Sequence, residues 1–135
     1  MIKPDLLESV LLRGVPSGSF SISHQDSKNG PWTTIEPANV RAARLSVCLN
    51  NYGNCDILFG KAFAMELELS ESDLLLSLGK AAMQGHFMEF IWSVGSAKVY
   101  SKSVIQLDDR PATVRSGVPL PYPWWWKHTY RYEPF

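Results

Sequence analysis

The stretch that decides the fold is His86-Phe87-Met88-Glu89-Phe90-Ile91-Trp92-Ser93-Val94, then Gly95-Ser96, then Ala97-Lys98-Val99-Tyr100-Ser101-Lys102-Ser103-Val104-Ile105. Both arms are rich in the β-branched and aromatic residues that fit a pleated surface, and Gly-Ser suits a two-residue type II′ turn with Gly first. Pairing Val94 with Ala97 sets Trp92 opposite Val99, Phe90 opposite Ser101 and Met88 opposite Ser103 on one face. Ile91–Tyr100 and Glu89–Lys102 then pair on the other. Opposite charges landing face to face favour this register by a few tenths of a kcal/mol. His86 alternates in phase with Met88, Phe90 and Trp92, which places it at the margin of a core.

Toward the N-terminus, Ser70-Glu71-Ser72-Asp73 opens a helix over about 71–84 in a capping-box-like pattern. Leu74, Leu75, Leu78, Ala81 and Ala82 form its apolar stripe, and Gly85 supplies its stop. Ala62 to Ser70 alternates cleanly, with Phe63, Met65, Leu67 and Leu69 facing a core and Ala64, Glu66, Glu68 and Ser70 facing water. Arg44–Leu49 and Cys55–Phe59 read as a hairpin around Asn50-Asn51-Tyr52-Gly53-Asn54. Trp32–Ile35 is β-prone and Ser19–His24 alternates as a strand. Pro4 to Leu11, ending at Gly14, suits a short helix, although Val10-Leu11-Leu12 also suits a strand.

Toward the C-terminus, Leu107–Pro111 is a turn and Ala112–Arg115 a short strand. Gly117 then opens an arm in which Pro119, Pro121 and Pro123 stiffen the chain ahead of Trp124-Trp125-Trp126-Lys127-His128-Thr129-Tyr130-Arg131-Tyr132. Three consecutive Trp cannot all point one way in an extended chain, so at least one is expected at the surface. If the arm packs across the sheet, Tyr130 and Tyr132 alternate inward.

The order of elements gives an α+β fold: a twisted antiparallel sheet, the helix at about 71–84 packed on one face, and an extended aromatic C-terminal arm. With 135 residues the chain is one domain, 1–135, with 117–135 as the arm. Leu, Ile, Val and Phe together number 36, well above the level of disordered chains. The formal net charge of zero disfavours nucleic acid and anionic membranes as partners. That total conceals an uneven distribution: residues 54–97 carry six acids and two bases, residues 98–135 three acids and six bases. Met1-Ile2-Lys3-Pro4-Asp5 does not start a secretory signal and no apolar run nears 18 residues, so a cytoplasmic location is expected.

No specific chemistry is spelled out. P-loop, H-E-x-x-H, nucleophile-elbow and dinucleotide patterns are missing. Cys48 and Cys55 lack zinc spacing, as do His24, His86 and His128, so two reduced thiols, no metal and no cofactor are expected. Glu66 and Glu68 share one strand face, where paired carboxylates serve catalysis or simply solvation. Trp and Tyr beside Lys and Arg are the residues enriched at binding hot spots. The partner-binding set is therefore Trp124, Trp125, Trp126, Lys127, Tyr130 and Arg131, with Glu66 and Glu68. The expected function is a small cytoplasmic protein-binding or inhibitor domain without catalytic activity, such as a bacterial immunity protein neutralising a toxin; its partner is another protein, a toxin or enzyme. The alternative is a small hydrolase or ligand-binding domain whose aromatic-lined pocket draws polar groups from His86, Glu66, Glu68 or the cysteines.

Overall fold

The computed structural model describes residues 9, 11–50, 52–68, 71–117 and 126–135. Strands β1 (Phe20–Ser27), β2 (Gly30–Pro37), β3 (Leu45–Leu49), β4 (Asn54–Phe59) and β5 (Phe63–Glu68) form an antiparallel meander, the N-terminal sheet. Helix α1 (Ser72–Met83) leads into β6 (Phe87–Val94), β7 (Ala97–Gln106), β8 (Pro111–Gly117) and β9 (Trp126–Arg131). These four make the C-terminal sheet, ordered β8-β7-β6-β9. The result is an α+β fold on antiparallel sheets, as the sequence leads one to expect, with the strands divided between two sheets. Ser9 and Leu11 are helical, in keeping with the helical reading of the opening segment. Of the aromatic arm, residues 118–125, including Trp124 and Trp125, lie outside the described residues. Residues 126–131 are the edge strand β9.

Alternation puts Ile35, Leu45, Val47, Ile57, Phe59, Phe63 and Leu67 on one face of the N-terminal sheet. They meet Leu75, Leu78, Ala81, Ala82 and Met83 of α1 and Phe87 and Ile105 of the C-terminal sheet in one apolar cluster. Helix α1 stops at Gly85, whose φ of 82° suits a residue without a side chain. Its N–H donates to the Ala82 carbonyl at 3.1 Å and that of His86 to Ala81 at 2.9 Å, the double closure of a Schellman turn. The capping box at the other end does not form: the N-cap is Glu71, with no side-chain hydrogen bond. Acidic Asp73 still lies in the first turn, where the helix dipole favours it.

The hairpin about Gly95-Ser96 corrects the sequence reading. Gly95 takes φ 60° while Ser96 does not, as a type II′ turn requires, and Val94 pairs with Ala97. A β-bulge at Trp92/Ser93 then leaves Val99 unpaired and shifts everything beyond it by one. Glu89 therefore faces Ser103, not Lys102; Lys102 faces Phe90; Trp92 faces Tyr100. The buried face is Phe87, Glu89 and Ile91, while Met88, Phe90 and Trp92 point outward and His86 is exposed.

The physical reason for the shift is a built site for the Glu89 carboxylate. Glu89 is fully buried. Its Oε1 accepts from the Lys61 N–H at 2.7 Å and the Tyr132 hydroxyl at 2.5 Å, its Oε2 from the Ala62 N–H at 2.8 Å and Ser103 Oγ at 2.9 Å. Four convergent donors outweigh a surface charge pair worth tenths of a kcal/mol. Burial, reinforced by the hydrogen bond to Glu89, pushes the Tyr132 phenol far above its ordinary range, so it remains a donor. Gly60 makes room: at φ 60°, a Cβ there would sit 2.5 Å from Glu89 Oε1 and 2.8 Å from the Tyr132 oxygen. The carboxylate thus ties the β4–β5 turn of one sheet to β6, β7 and the C-terminal residues of the other.

Candidate functional site

The outer face of the C-terminal sheet is built by simple alternation. Residues paired across antiparallel strands share a face, so Tyr100 and Trp92 lie in one row with Lys127. The next row is Arg115, Lys102, Phe90 and Thr129, and the third is Thr113, Val104, Met88 and Arg131. The Trp92 and Tyr100 rings are 4.9 Å apart between centroids, and Phe90 stands 6.3 Å from Trp92. Lys127 Nζ lies 4.8 Å from the Phe90 ring and 5.5 Å from that of Trp92, a doubled cation–π contact. Four cations surround or cover the aromatic residues, and no strand residue of this face is acidic.

Trp126, at the start of β9, is 71% exposed, as at least one Trp of the run was expected to be. Met88, Val104 and Arg131 border a cleft of about 370 Å³ shared with Gly85, His86 and Gln106. On the opposite side of β9, Tyr130 faces Glu89 across the ladder, with Lys61 Nζ 5.0 Å from its ring. Tyr132 packs on Phe87 at 4.7 Å. Tyr130 and Tyr132 therefore turn inward, and Lys127 and Arg131 outward.

Glu66 and Glu68 belong elsewhere, on the outer face of the N-terminal sheet, where both are exposed. Glu66 faces Asp56 across the β4–β5 ladder and accepts from Asn50 Nδ2 at 2.8 Å, while the same amide reaches Asp56 Oδ1 at 3.3 Å. Asn50 Oδ1 meanwhile accepts from the Tyr52 and Asn54 N–H groups at 3.0 and 3.1 Å. This arrangement holds the β3–β4 turn in shape, an Asx-type role.

Cys48 and Cys55 are free and buried. Cys48 pairs with Asp56 and Leu49 with Cys55, so the two thiols occupy opposite faces of the sheet and do not meet. Burial first, then the neighbouring Asp56 carboxylate, pushes both thiols up from their ordinary range. Cys48 shares a row with Asp56 and Glu66 on the outer face of the N-terminal sheet, Cys55 lies on its inner face, and His86 borders the cleft beside Met88 and Arg131. No cluster of three or more His, Cys, Asp or Glu able to hold a metal is formed among the described residues. Nor is any helix among them long and apolar enough to cross a membrane.

Sequence reading put Phe90 and Trp92 on the core side with His86 and Met88; with Val99 unpaired they instead share the outer face with Lys102 and with Tyr100, which is buried there. The basic excess of residues 98–135 was the available signal: Lys102, Arg115, Lys127 and Arg131 all come from it. Comparison with known proteins finds no significant match to a protein family, to a curated protein or to a solved structure.

Proposed function

We propose that this chain is a small protein-binding domain without chemistry of its own, and that it docks an acidic partner surface on the outer face of its C-terminal sheet. The observation that carries this reading is the Phe90–Trp92–Tyr100 cluster beneath Lys127, flanked by Lys102, Arg115 and Arg131. Aromatic and arginine side chains with a cationic rim are the composition of an interface centre, where large rings supply contact area and charges steer the encounter. Lys127 and Arg131 belong to this surface, whereas Trp126, paired with Ser93, lies on the other face of β9 with Tyr130, which supports the surface from inside. Glu66 and Glu68 lie on the other sheet and take no part in it. An inhibitor that occludes its target, such as an immunity protein covering a cytoplasmic toxin, is the class of function that such a surface serves.

The test is affinity capture from native lysate with the wild-type chain and with Arg131→Glu and Lys127→Glu variants whose thermal unfolding matches wild type. A protein held by wild type and lost by both variants is the expected result. Equal retention by all three would place the interface elsewhere.

A further inference from the structure

Arg115 of β8 and Lys102 of β7 are direct partners on the β7–β8 ladder, in the row that continues to Phe90 and Thr129. Side chains of such partners rise side by side about 5 Å apart, and like charges placed so are unfavourable. Elsewhere the fold sets its arginines against carboxylates: Arg44 meets Glu36 and Arg41 meets Glu133, each at 3.6 Å. Here it does not. Among the described residues Lys102, Arg115 and Lys127 form no ion pair, and no strand residue of this face is acidic.

A third cation leans toward the pair. Lys127 Nζ lies 4.8 Å from the centre of the Phe90 ring, so it stands over the residue next to Lys102 in the row. Thr129, the partner of Phe90 on β9, adds a hydroxyl to the same row. Three positive charges thus gather beside a wall of aromatic rings, and the face supplies nothing to neutralise them.

The charge count selects the occupant. A carboxylate brings one negative charge and two oxygens, which leaves most of the cluster unanswered. A phosphomonoester brings about 1.5 to 2 negative charges at neutral pH and three acceptor oxygens, and both lysine and arginine bind it well. A nucleic-acid backbone needs a track of cations, whereas these gather at one spot, and a net charge of zero offers a polyanion no long-range attraction. Phe90 and Trp92, half-buried beside the cations, give contact area to the residues that flank the phosphate.

We propose that the phosphate of a phosphorylated side chain on the partner protein seats between Lys102 and Arg115, beneath Lys127. The proposal rests on the reading of this face as the docking surface, and it names the modification by which the partner is recognised. Phosphorylation of the partner switches docking on, because the arriving phosphate turns the Lys102–Arg115 repulsion into two attractions.

The probe is the peptide acetyl-Leu-Ala-phosphoserine-Ala-Leu-amide, titrated into the isotope-labelled full chain in phosphate-free buffer beside its unphosphorylated twin, its glutamate twin and inorganic phosphate. The phosphopeptide is expected to shift the Lys102 and Arg115 amide signals saturably and to bind about tenfold or more tighter than the glutamate twin, with no saturable shift from the unphosphorylated one. It is also expected to bind more tightly than inorganic phosphate; equal affinity would make this a site for free phosphate and overturn the assignment to a protein segment. Lys102→Gln and Arg115→Gln are each expected to weaken the phosphopeptide about tenfold while unfolding at a temperature no lower than wild type, since each removes the like-charge contact. Lys98→Gln, the same change of charge on the other face of β7, is expected to leave the affinity within about twofold. Binding that the Lys102 and Arg115 variants leave intact, or no saturable binding of the phosphopeptide, overturns the proposal. The docking reading is judged apart from it: a partner captured by wild type, lost by Lys127→Glu and still held after phosphatase treatment keeps that reading and overturns this one.

Discussion

In the N-terminal sheet, Leu45, Val47, Ile57, Phe59 and Phe63 line the inner face and Thr34, Ser46, Asp56 and Glu66 the outer one. In the C-terminal sheet the order is partly reversed. A carboxylate and two serines, Glu89, Ser101 and Ser103, are buried inside, while Phe90 and Trp92 stand half-buried on the outside. The first sheet follows the usual separation of apolar and polar faces. The second shows that hydrogen-bond donors decide burial as firmly as hydropathy does, since Glu89 goes where four donors await it. Its outward aromatics are left with cations in place of a core, which is why we propose a docking role for that face.

The largest expected effect comes from abolishing the inner half of this contrast. Glu89→Gln turns an amide N–H₂ toward N–H and O–H donors, and is expected to cost about 3 kcal/mol or more in urea unfolding. Glu66→Gln, on the open face of the other sheet, should stay within about 0.5 kcal/mol. Equal losses would remove the distinction between the two carboxylates.

Gly60→Ala pushes a methyl group against Glu89 and Tyr132, and a loss of roughly 2 kcal/mol is expected by the same measurement. Tyr132→Phe removes one donor to the carboxylate and is expected to cost about 1–2 kcal/mol at neutral pH. It carries a further signature in alkali. The raised phenol pKa means that the unfolded tyrosine ionises near its ordinary value of 10 while the folded one keeps its proton. The wild-type chain therefore loses stability as pH rises above that value, and the variant's slope should be shallower by about 1.4 kcal/mol per pH unit. Unchanged slopes would mean that the Tyr132 phenol is neither buried nor held by Glu89 as the structure has it.

The smallest effect sharpens the outer face. Lys102→Glu should shift stability by no more than about 0.5 kcal/mol and show no coupling to Glu89 in a double-mutant cycle. Coupling between the two would restore the unbulged register.

Most strands were legible because alternation is a local property: Phe63 to Leu67 and Leu45 to Leu49 display their faces residue by residue. The turn at Gly95-Ser96 was legible for the same reason, as Gly is the residue that takes φ 60° without strain. The bulge was not. Whether Val99 pairs depends on Lys61, Ala62 and Tyr132, which lie more than 25 residues from Glu89 along the chain and converge only in the fold. The Glu89–Lys102 match was a plausible local signal that a distant set of donors overrode. Of the candidate site, Lys127 and Arg131 were readable from composition, but their neighbours Phe90, Trp92 and Tyr100 were hidden behind that single shift of phase. Glu66 was readable as a wet-face residue, though its part in holding Asn50 was not.

The central claim is that the aromatic, cationic face of the C-terminal sheet binds the partner and the acidic face of the N-terminal sheet does not. Calorimetric titration of the captured partner against wild type, Lys127→Glu and Glu66→Lys tests it directly. Lys127→Glu is expected to weaken binding by about 30-fold or more, the size of a hot-spot loss, with Glu66→Lys within about twofold of wild type. Wild-type affinity in Lys127→Glu, or an equal loss in Glu66→Lys, would contradict the assignment.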